Sequence, residues 1–299
     1  MPSEKPGKVM LTLRTHTGEE VSYPRPEGKP TFNNTSGEGI SWAQWSWNPV
    51  TGCLHGCDYC YAREITMRFK QVNPVGFTPL FHHERLTAPA HTKIPEQHRD
   101  DPTWRRVFVC SMADLYGRWV PDAWIYEVHD VMHHHPDWDY LLLTKFPARY
   151  TKLDLPKTAW VGTSIDEQKR VRIAEDAFRK IEGVKVKWLS IEPLKEPLEF
   201  SDLSMFDWVV IGAQTETRQE TGLVPAFSPP FEWVARLVAS GPGRRLPGPP
   251  EAQPGQREPG DGAPRRIPGL TSAGAASPPN QAAGGGTRGV GGGGVGGVK

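Results

Sequence analysis

The stretch from residue 139 to residue 164, DYLLLTKFPARYTKLDLPKTAWVGTS, decides the fold class because it contains two continuous apolar runs that each end in small or polar residues. Continuous runs, in contrast to alternating ones, are typical of strands buried on both faces of a parallel sheet. Runs of the same kind occur at WAQWSWN (42–48), RVFVCS (106–111), VKWLSIE (186–192) and DWVVIG (207–212). The sequence therefore predicts an α/β fold with about six parallel strands, arranged as a doubly wound sheet or as a partial (β/α) barrel.

The segments between these runs suit helices. One helix is predicted over 166–181, where apolar residues share a face: Val171, Ala174, Phe178 and Ile181. Just before it, Ser164-Ile165-Asp166-Glu167 has the form of a capping box, so Ser164 is expected to cap this helix. A second helix is predicted to begin at Pro121 and to end near His133-His134-His135, where imidazoles suit the helix dipole better than a metal site.

Composition divides the chain into three regions. Residues 1–40 read as a polar arm in which VMLTLRTH and EVSYP form a hairpin across Thr17-Gly18, followed by a linker. Residues 41–240 contain the predicted strands. Residues 241–299 hold 18 Gly, 10 Pro and no aromatic residue, which predicts a disordered tail. We favour a frameshift over a natural tail as its origin, with the C-terminal strand of the barrel lost.

Charge and apolar content exclude several classes of protein. The net charge of +1 excludes a globally basic nucleic-acid binder, and residues 1–240 carry 28 Lys+Arg against 31 Asp+Glu. No stretch approaches the roughly 20 apolar residues that cross a bilayer, and MPSEKPGKVM lacks the apolar core of a secretory signal. We therefore expect a cytoplasmic protein with no membrane partner.

The segment WNPVTGCLHGCDYCYA (47–62) carries the most informative pattern, C-x3-C-x2-C, formed by Cys53, Cys57 and Cys60. A [4Fe-4S] cluster is normally held by four Cys thiolates, so three leave one iron open to another ligand. The alternative is a zinc site completed by His55 or Cys110. Because His55 lies in the same tight loop and Cys110 is expected to be a small core residue of an apolar strand, the spacing favours the cluster.

With Tyr59 immediately before the third cysteine, the pattern resembles the C-x3-C-x-aromatic-C signature of the radical S-adenosylmethionine (radical SAM) superfamily. The motifs WNPVTGC, CxxCYA, VFVCSMADLYG, LLLTKFP, VGTSID and LSIEPL together resemble an uncharacterised, phage-associated branch of that superfamily over roughly 41–240. This resemblance implies a partial (β/α) barrel, a [4Fe-4S] cluster, S-adenosylmethionine (SAM) and a one-electron reductant. The substrate is unknown, and the phage association points to a nucleic acid or nucleotide. The alternatives are a non-catalytic zinc-binding module and an inactive truncated copy.

The resemblance also implies roles for polar residues that follow the strands. Tyr59 is counted with the cofactor-binding residues as the aromatic of the motif. Ser111 and Asp114 stand where the superfamily often has a Gly-Gly-Glu motif, near the methionyl amino group of SAM, although Asp114 also suits a helix or turn cap. Ser164 and Asp166 follow the fourth strand, from which members contact the methionyl carboxylate or the ribose.

Lys145 and Glu192 are the remaining candidates. Lys145 follows LLLT and is expected to pair with the cofactor carboxylate or a substrate phosphate, the alternative being a solvated lysine. Glu192 ends a buried strand, where a carboxylate is costly without a partner, and ribose hydroxyls would provide one. Trp42, Trp45 and Trp47 have the chemistry to stack on nucleobases, but the lack of neighbouring basic residues favours a packing role.

Overall fold

The computed structural model describes residues 9–35, 40, 42–69, 73 and 75–240. Its strands are β1 (Met10–Thr15), β2 (Glu20–Pro24), β3 (Asn33–Asn34), β4 (Trp45–Trp47), β5 (Val50–Thr51), β6 (Leu80–Phe81), β7 (Arg106–Val109), β8 (Asp139–Thr144), β9 (Ala159–Ser164), β10 (Val186–Ile191), β11 (Trp208–Ile211), β12 (Thr217–Gln219) and β13 (Gly222–Val224). Its helices are α1 (Tyr61–Arg68), α2 (Ala88–His91), α3 (Asp122–His134), α4 (Val171–Phe178) and α5 (Phe231–Ala239). The α/β class is confirmed, whereas the predicted tail at 241–299, with its frameshift and lost strand, lies outside the described residues.

The six predicted apolar runs form one parallel sheet. Strands β4, β7, β8, β9, β10 and β11 lie side by side in chain order, and β3 adds an antiparallel strand beside β4. The order excludes a doubly wound sheet, in which the strand order reverses partway. Among the described residues no pairing joins β11 back to β3, so the sheet is open between these two edges.

The parallel strands are buried on both faces, which explains their continuous apolar sequence. In β8, Leu142 joins the larger core cluster, whereas its neighbour Leu141 joins a smaller cluster on the opposite face. In the smaller cluster the ring centroids of Trp42 and Trp188 are 5.0 Å apart. Gly162 leaves the space for the Trp188 ring, because a Cβ at that position would overlap the indole. The packing role of the N-terminal tryptophans is confirmed by their exposed fractions: Trp42 6%, Trp45 6% and Trp47 1%.

The predicted N-terminal hairpin is confirmed, and it belongs to a second sheet. Strand β1 pairs antiparallel with β2 across a turn in which Gly18 has a φ of 86°. Strand β1 also pairs with β6, and β6 pairs with β5. Because β5 ends two residues before Cys53, the hairpin braces the strand that leads into the cysteine loop.

The helices lie where the sequence predicted them, but their first and last residues differ from the prediction in one case. Helix α3 begins directly after Pro121, as predicted. The helix predicted over 166–181 is shorter, because Glu167 has an extended φ of −145° and ψ of 143° and α4 starts only at Val171. The capping role predicted for Ser164 is wrong, since Ser164 is the last residue of β9 and no side chain caps α4. The predicted apolar face is right and is buried: Val171, Ala174, Phe178 and Ile181.

Candidate functional site

A cleft of about 280 Å³ opens at the carboxyl ends of the parallel strands, beside the loop that carries the cysteines. It is lined by nine of the ten residues that the sequence selected: Cys53, Cys57, Tyr59, Cys60, Ser111, Asp114, Lys145, Ser164 and Glu192. The tenth, Asp166, contacts Lys145 and Tyr59 behind the cleft wall. Two larger clefts, of about 600 and 640 Å³, lie elsewhere and are lined by none of these residues.

The cysteine loop begins at a tight turn and ends at the first turn of α1. Gly52 has a φ of 82° and passes so close to the backbone of Thr78 that a Cβ would overlap it, so only glycine fits. Cys60 is the N-cap of α1, and the backbone N–H of Arg63 donates to its Sγ at 3.4 Å. All three thiols of the loop are free and half-buried. A helix N-terminus and N–H donors favour the thiolate form that metals bind.

Burial opposes the ionisation of the same thiols. It raises the pKa of Cys53 to about 12, with a smaller contribution from the charge of Asp114, and it also raises the pKa of Cys60. A metal group would therefore have to displace these protons.

An iron–sulfur site requires several ligating side chains that reach one bound group. Among the described residues, no three His, Cys, Asp or Glu side chains are arranged so that they could hold a metal ion. Ligation of a single metal ion by the three cysteines would therefore require rotation of their side chains, whereas a [4Fe-4S] cluster presents a different iron to each thiolate. Three free thiols that line one cleft from one loop nevertheless have the chemistry of an iron–sulfur site.

Asp114 is a buried junction between three parts of the chain. Its Oδ1 accepts a hydrogen bond from the backbone N–H of Tyr116 at 3.0 Å, which is a turn-capping role. Its Oδ2 accepts from Thr144 Oγ1 at 3.0 Å and from the backbone N–H of Lys145 at 3.1 Å. His55 Nε2 lies 2.7 Å from the same oxygen. The carboxylate thus ties the cysteine loop to the turn after β7 and to the end of β8.

Lys145, Tyr59 and Asp166 form a second buried network on the same wall. Lys145 Nζ donates to the Tyr59 hydroxyl and to Asp166 Oδ2, and the Tyr59 hydroxyl donates to that oxygen at 2.5 Å. Arg170 Nε lies 2.8 Å from Asp166 Oδ1 without forming a hydrogen bond. Although burial raises the pKa of Asp166, the charge of Lys145 and these hydrogen bonds lower it to about 2. Lys145 is therefore not a solvated lysine, because its charge is neutralised by Asp166.

Glu192 lines a different wall of the cleft, directly after β10. Gly212 gives it room, because a Cβ at that glycine would lie 2.8 Å from Glu192 Oε1. Burial raises the pKa of Glu192 to about 7, although hydrogen bonds from Trp42 and Ser190 oppose the rise. No cation among the described residues contributes to this pKa. The carboxyl group therefore faces the cleft with its charge uncompensated by the protein.

Two further residues hold the site, and neither was assigned a specific role from the sequence. Asn48 Oδ1 accepts from the backbone N–H of Met112 at 3.0 Å and from Ser111 Oγ at 3.2 Å, which holds the turn after β7. Its place at the end of the first predicted strand is the signal that marks it as a polar residue at the edge of the sheet where function is expected. Gln219 of β12 donates to the carbonyl oxygen of Cys60 at 3.1 Å, and no local pattern relates residues so distant in the chain.

The family of the chain follows from a match over most of its described length. A family described as "Protein of unknown function (DUF5131)" matches residues 37–222. Because this match covers more than half of the chain, the chain belongs to that family. No curated protein and no solved structure matches it. None of the helices in the described ranges has the length and apolar character needed to cross a membrane.

Proposed function

We propose that this member of the DUF5131 family is a radical SAM enzyme, in which Cys53, Cys57 and Cys60 hold a [4Fe-4S] cluster beside bound SAM. The observation that carries the proposal is the position of three free thiols in a cleft at the carboxyl ends of parallel strands, where sheets of this kind bind ligands. Six parallel strands in chain order also suit a partial (β/α) barrel. When bound, the cluster would supply the electron that cleaves the sulfonium of SAM to methionine and a 5'-deoxyadenosyl radical, with a one-electron reductant as the source.

The residues of the cleft would bind and orient SAM and the substrate. Ser111 and Ser164 line the cleft and would contact the methionyl end of SAM, while Glu192 would accept hydrogen bonds from the ribose. Lys145 and Asp166 neutralise each other, so their role would be to hold Tyr59 in the wall. A nucleic acid or nucleotide as substrate is proposed from the phage-associated resemblance.

Anaerobic reconstitution tests this function. The wild-type protein should bind about four iron and four sulfide, and Cys53→Ala, Cys57→Ala and Cys60→Ala should each abolish the cluster. Cys110→Ala is the matched control, because Cys110 lines the same cleft from outside the cysteine loop, is only 2% exposed, and its loss should cost only about 1 kcal/mol of packing. With dithionite the wild type should form 5'-deoxyadenosine from SAM. Recovery of stoichiometric zinc without sulfide would replace this function with a zinc-binding module.

A further inference from the structure

The cysteine loop carries anchoring side chains between its cysteines. Burial alternates along residues 53–59, as it does along an extended strand. The exposed positions are Leu54, Gly56 and Asp58, and the half-buried positions are Cys53, His55, Cys57 and Tyr59. One large side chain therefore stands between each successive pair of cysteines and lines the same cleft as the thiols.

The first of these side chains, His55, is held on three sides. Its Nε2 lies 2.7 Å from Asp114 Oδ2, and because a carboxylate only accepts, Nε2 carries the proton. The imidazole centroid lies 4.9 Å from that of Trp119, edge-on, and 4.8 Å from that of Phe146. The side chains of His55 and Asp114 are only 8% and 7% exposed. A hydrogen bond to a carboxylate in such a dry setting is among the stronger ones that a protein makes.

Asp114 is a rigid anchor because its remaining hydrogen bonds run to the framework. They come from the backbone N–H groups of Tyr116 and Lys145 and from the hydroxyl of Thr144. These residues belong to the turn after β7 and to the end of β8. Asp114 therefore fixes His55, and with it the middle of the cysteine loop, relative to the parallel sheet.

In the described ranges, the backbone of the loop is hydrogen-bonded to the rest of the chain near its two ends. At the start, the N–H of Cys53 donates to the carbonyl oxygen of Phe77 at 3.1 Å. At the other end, Gln219 donates to the carbonyl oxygen of Cys60 at 3.1 Å. Between these points, the hydrogen bonds from the loop towards the cleft in the described structure are made by side chains. The hydrogen bond of His55 is the one that lies between Cys53 and Cys57.

We propose that His55 is a positioning residue that acts through Asp114 to fix the loop backbone from which Cys53 and Cys57 reach the [4Fe-4S] cluster. The identity of the bound group rests on the proposed function, whereas the hold on the loop is a property of the chain itself. Because the loop is already ordered, cluster binding does not incur the entropic cost of ordering it. Loss of the His55 hydrogen bond should therefore mobilise the centre of the loop and speed the loss of iron.

The test compares two substitutions of His55 in the full chain. His55→Phe keeps an aromatic ring between Trp119 and Phe146 but has no donor for Asp114. His55→Gln keeps an N–H donor at a similar reach and should restore the hold. Leu54→Ala is the matched control, because Leu54 is a 49% exposed neighbour in the same loop. If His55→Phe does not fold, His55→Met removes the donor while filling the same space flexibly.

Amide hydrogen exchange is measured first, on the reduced and metal-free protein under anaerobic conditions. Exchange over residues 53–59 should be at least about tenfold faster in His55→Phe than in the wild type, and close to wild type in His55→Gln and Leu54→Ala. The midpoint of thermal unfolding separates this local effect from a general loss of stability. Equal exchange in His55→Phe and the wild type would overturn the proposal.

Iron release from the reconstituted protein to a ferrous chelator is measured second. Iron release should be at least about tenfold faster from His55→Phe than from the wild type, and it should occur at close to the wild-type rate from His55→Gln and Leu54→Ala. Faster exchange without faster iron release would overturn the link between His55 and the cluster. A wild-type protein that takes up no iron and sulfide would instead overturn the proposed function, and the exchange comparison would still decide whether His55 holds the loop.

Discussion

The two walls of the cleft differ in whether their carboxyl groups have partners within the protein. On the wall formed by the cysteine loop and the ends of β7 to β9, the buried carboxylates are both partnered, Asp114 by His55 and Asp166 by Lys145. On the wall at the end of β10, the half-buried Glu192 has no cation to offset its desolvation, and its pKa rises to about 7. The first wall is therefore fixed by its own interactions. The second keeps a hydrogen-bonding carboxyl group for a ligand.

The largest effect on stability is expected from breaking the paired wall at Lys145. Lys145→Met should lower the free energy of unfolding by about 3 kcal/mol, because it removes the main counter-ion of a buried carboxylate and leaves Asp166 with Arg170 alone. The side chains of Lys145 and Asp166 are only 10% and 8% exposed, so water cannot replace the lost partner. Urea denaturation at neutral pH measures the change.

The control for this prediction is the double variant Lys145→Met/Asp166→Leu. It removes the stranded charge together with the lysine, so it should recover much of the lost stability. Arg170 then loses its partner, but its side chain is 24% exposed and water can solvate it. A double variant no more stable than Lys145→Met would show that packing, and not charge, accounts for the loss.

A smaller, pH-dependent effect is expected on the unpaired wall. The pKa of Glu192 rises from 4.5 to about 7 on folding, so below pH 4.5 both states are protonated. Between these values the unfolded chain ionises while the folded chain keeps its proton, and stability falls as pH rises. The contribution of Glu192 should fall by about 3 kcal/mol between about pH 4 and pH 8, and then level off.

Glu192→Gln isolates this contribution because its amide does not titrate. The difference in free energy of unfolding between the wild type and Glu192→Gln, measured in urea across the same pH range, should change by the predicted amount. The glutamine variant should also weaken SAM binding by about 1 to 3 kcal/mol while leaving the iron content intact. A stability difference that stays constant with pH would mean that Glu192 has a counter-ion and that the two walls do not differ.

The sequence was sufficient for the strands of the parallel sheet and for the place where the candidate residues gather. Continuous apolar runs record burial on both faces, so DYLLLT and AWVGTS coincide with β8 and β9 residue for residue. Because parallel strands end at the same edge of a sheet, polar residues that follow separate runs meet there. Five of them line one cleft together with the cysteines and Tyr59: Ser111, Asp114, Lys145, Ser164 and Glu192.

The partners of these residues could not be predicted in the same way. Lys145 and Asp166 are 21 residues apart, and His55 and Asp114 are 59 residues apart, so no local periodicity relates them. Their pairing depends on which strand ends become neighbours and on how the cysteine loop folds over them. The capping pattern at Ser164 failed for a related reason, because the strand continues to that residue and the chain stays extended at Glu167.

The smallest effect is expected from an exposed ion pair on the outer side of the cysteine loop. Lys195 Nζ lies 3.0 Å from both carboxylate oxygens of Asp58 and 5.2 Å from the ring centroid of Tyr59. The two charged side chains are 34% and 56% exposed, so water and salt screen their attraction. Lys195→Met should therefore lower the free energy of unfolding by less than about 1 kcal/mol, and the difference should shrink in about 1 M salt.

Asp58→Asn is the control, because it keeps Lys195 over the Tyr59 ring and so separates the ion pair from the cation–π contact. If Lys195→Met lowered the free energy of unfolding as much as Lys145→Met does, burial would not determine the strength of the ion pairs around this loop. The contrast between a fixed inner wall and a weakly held outer side would then fail.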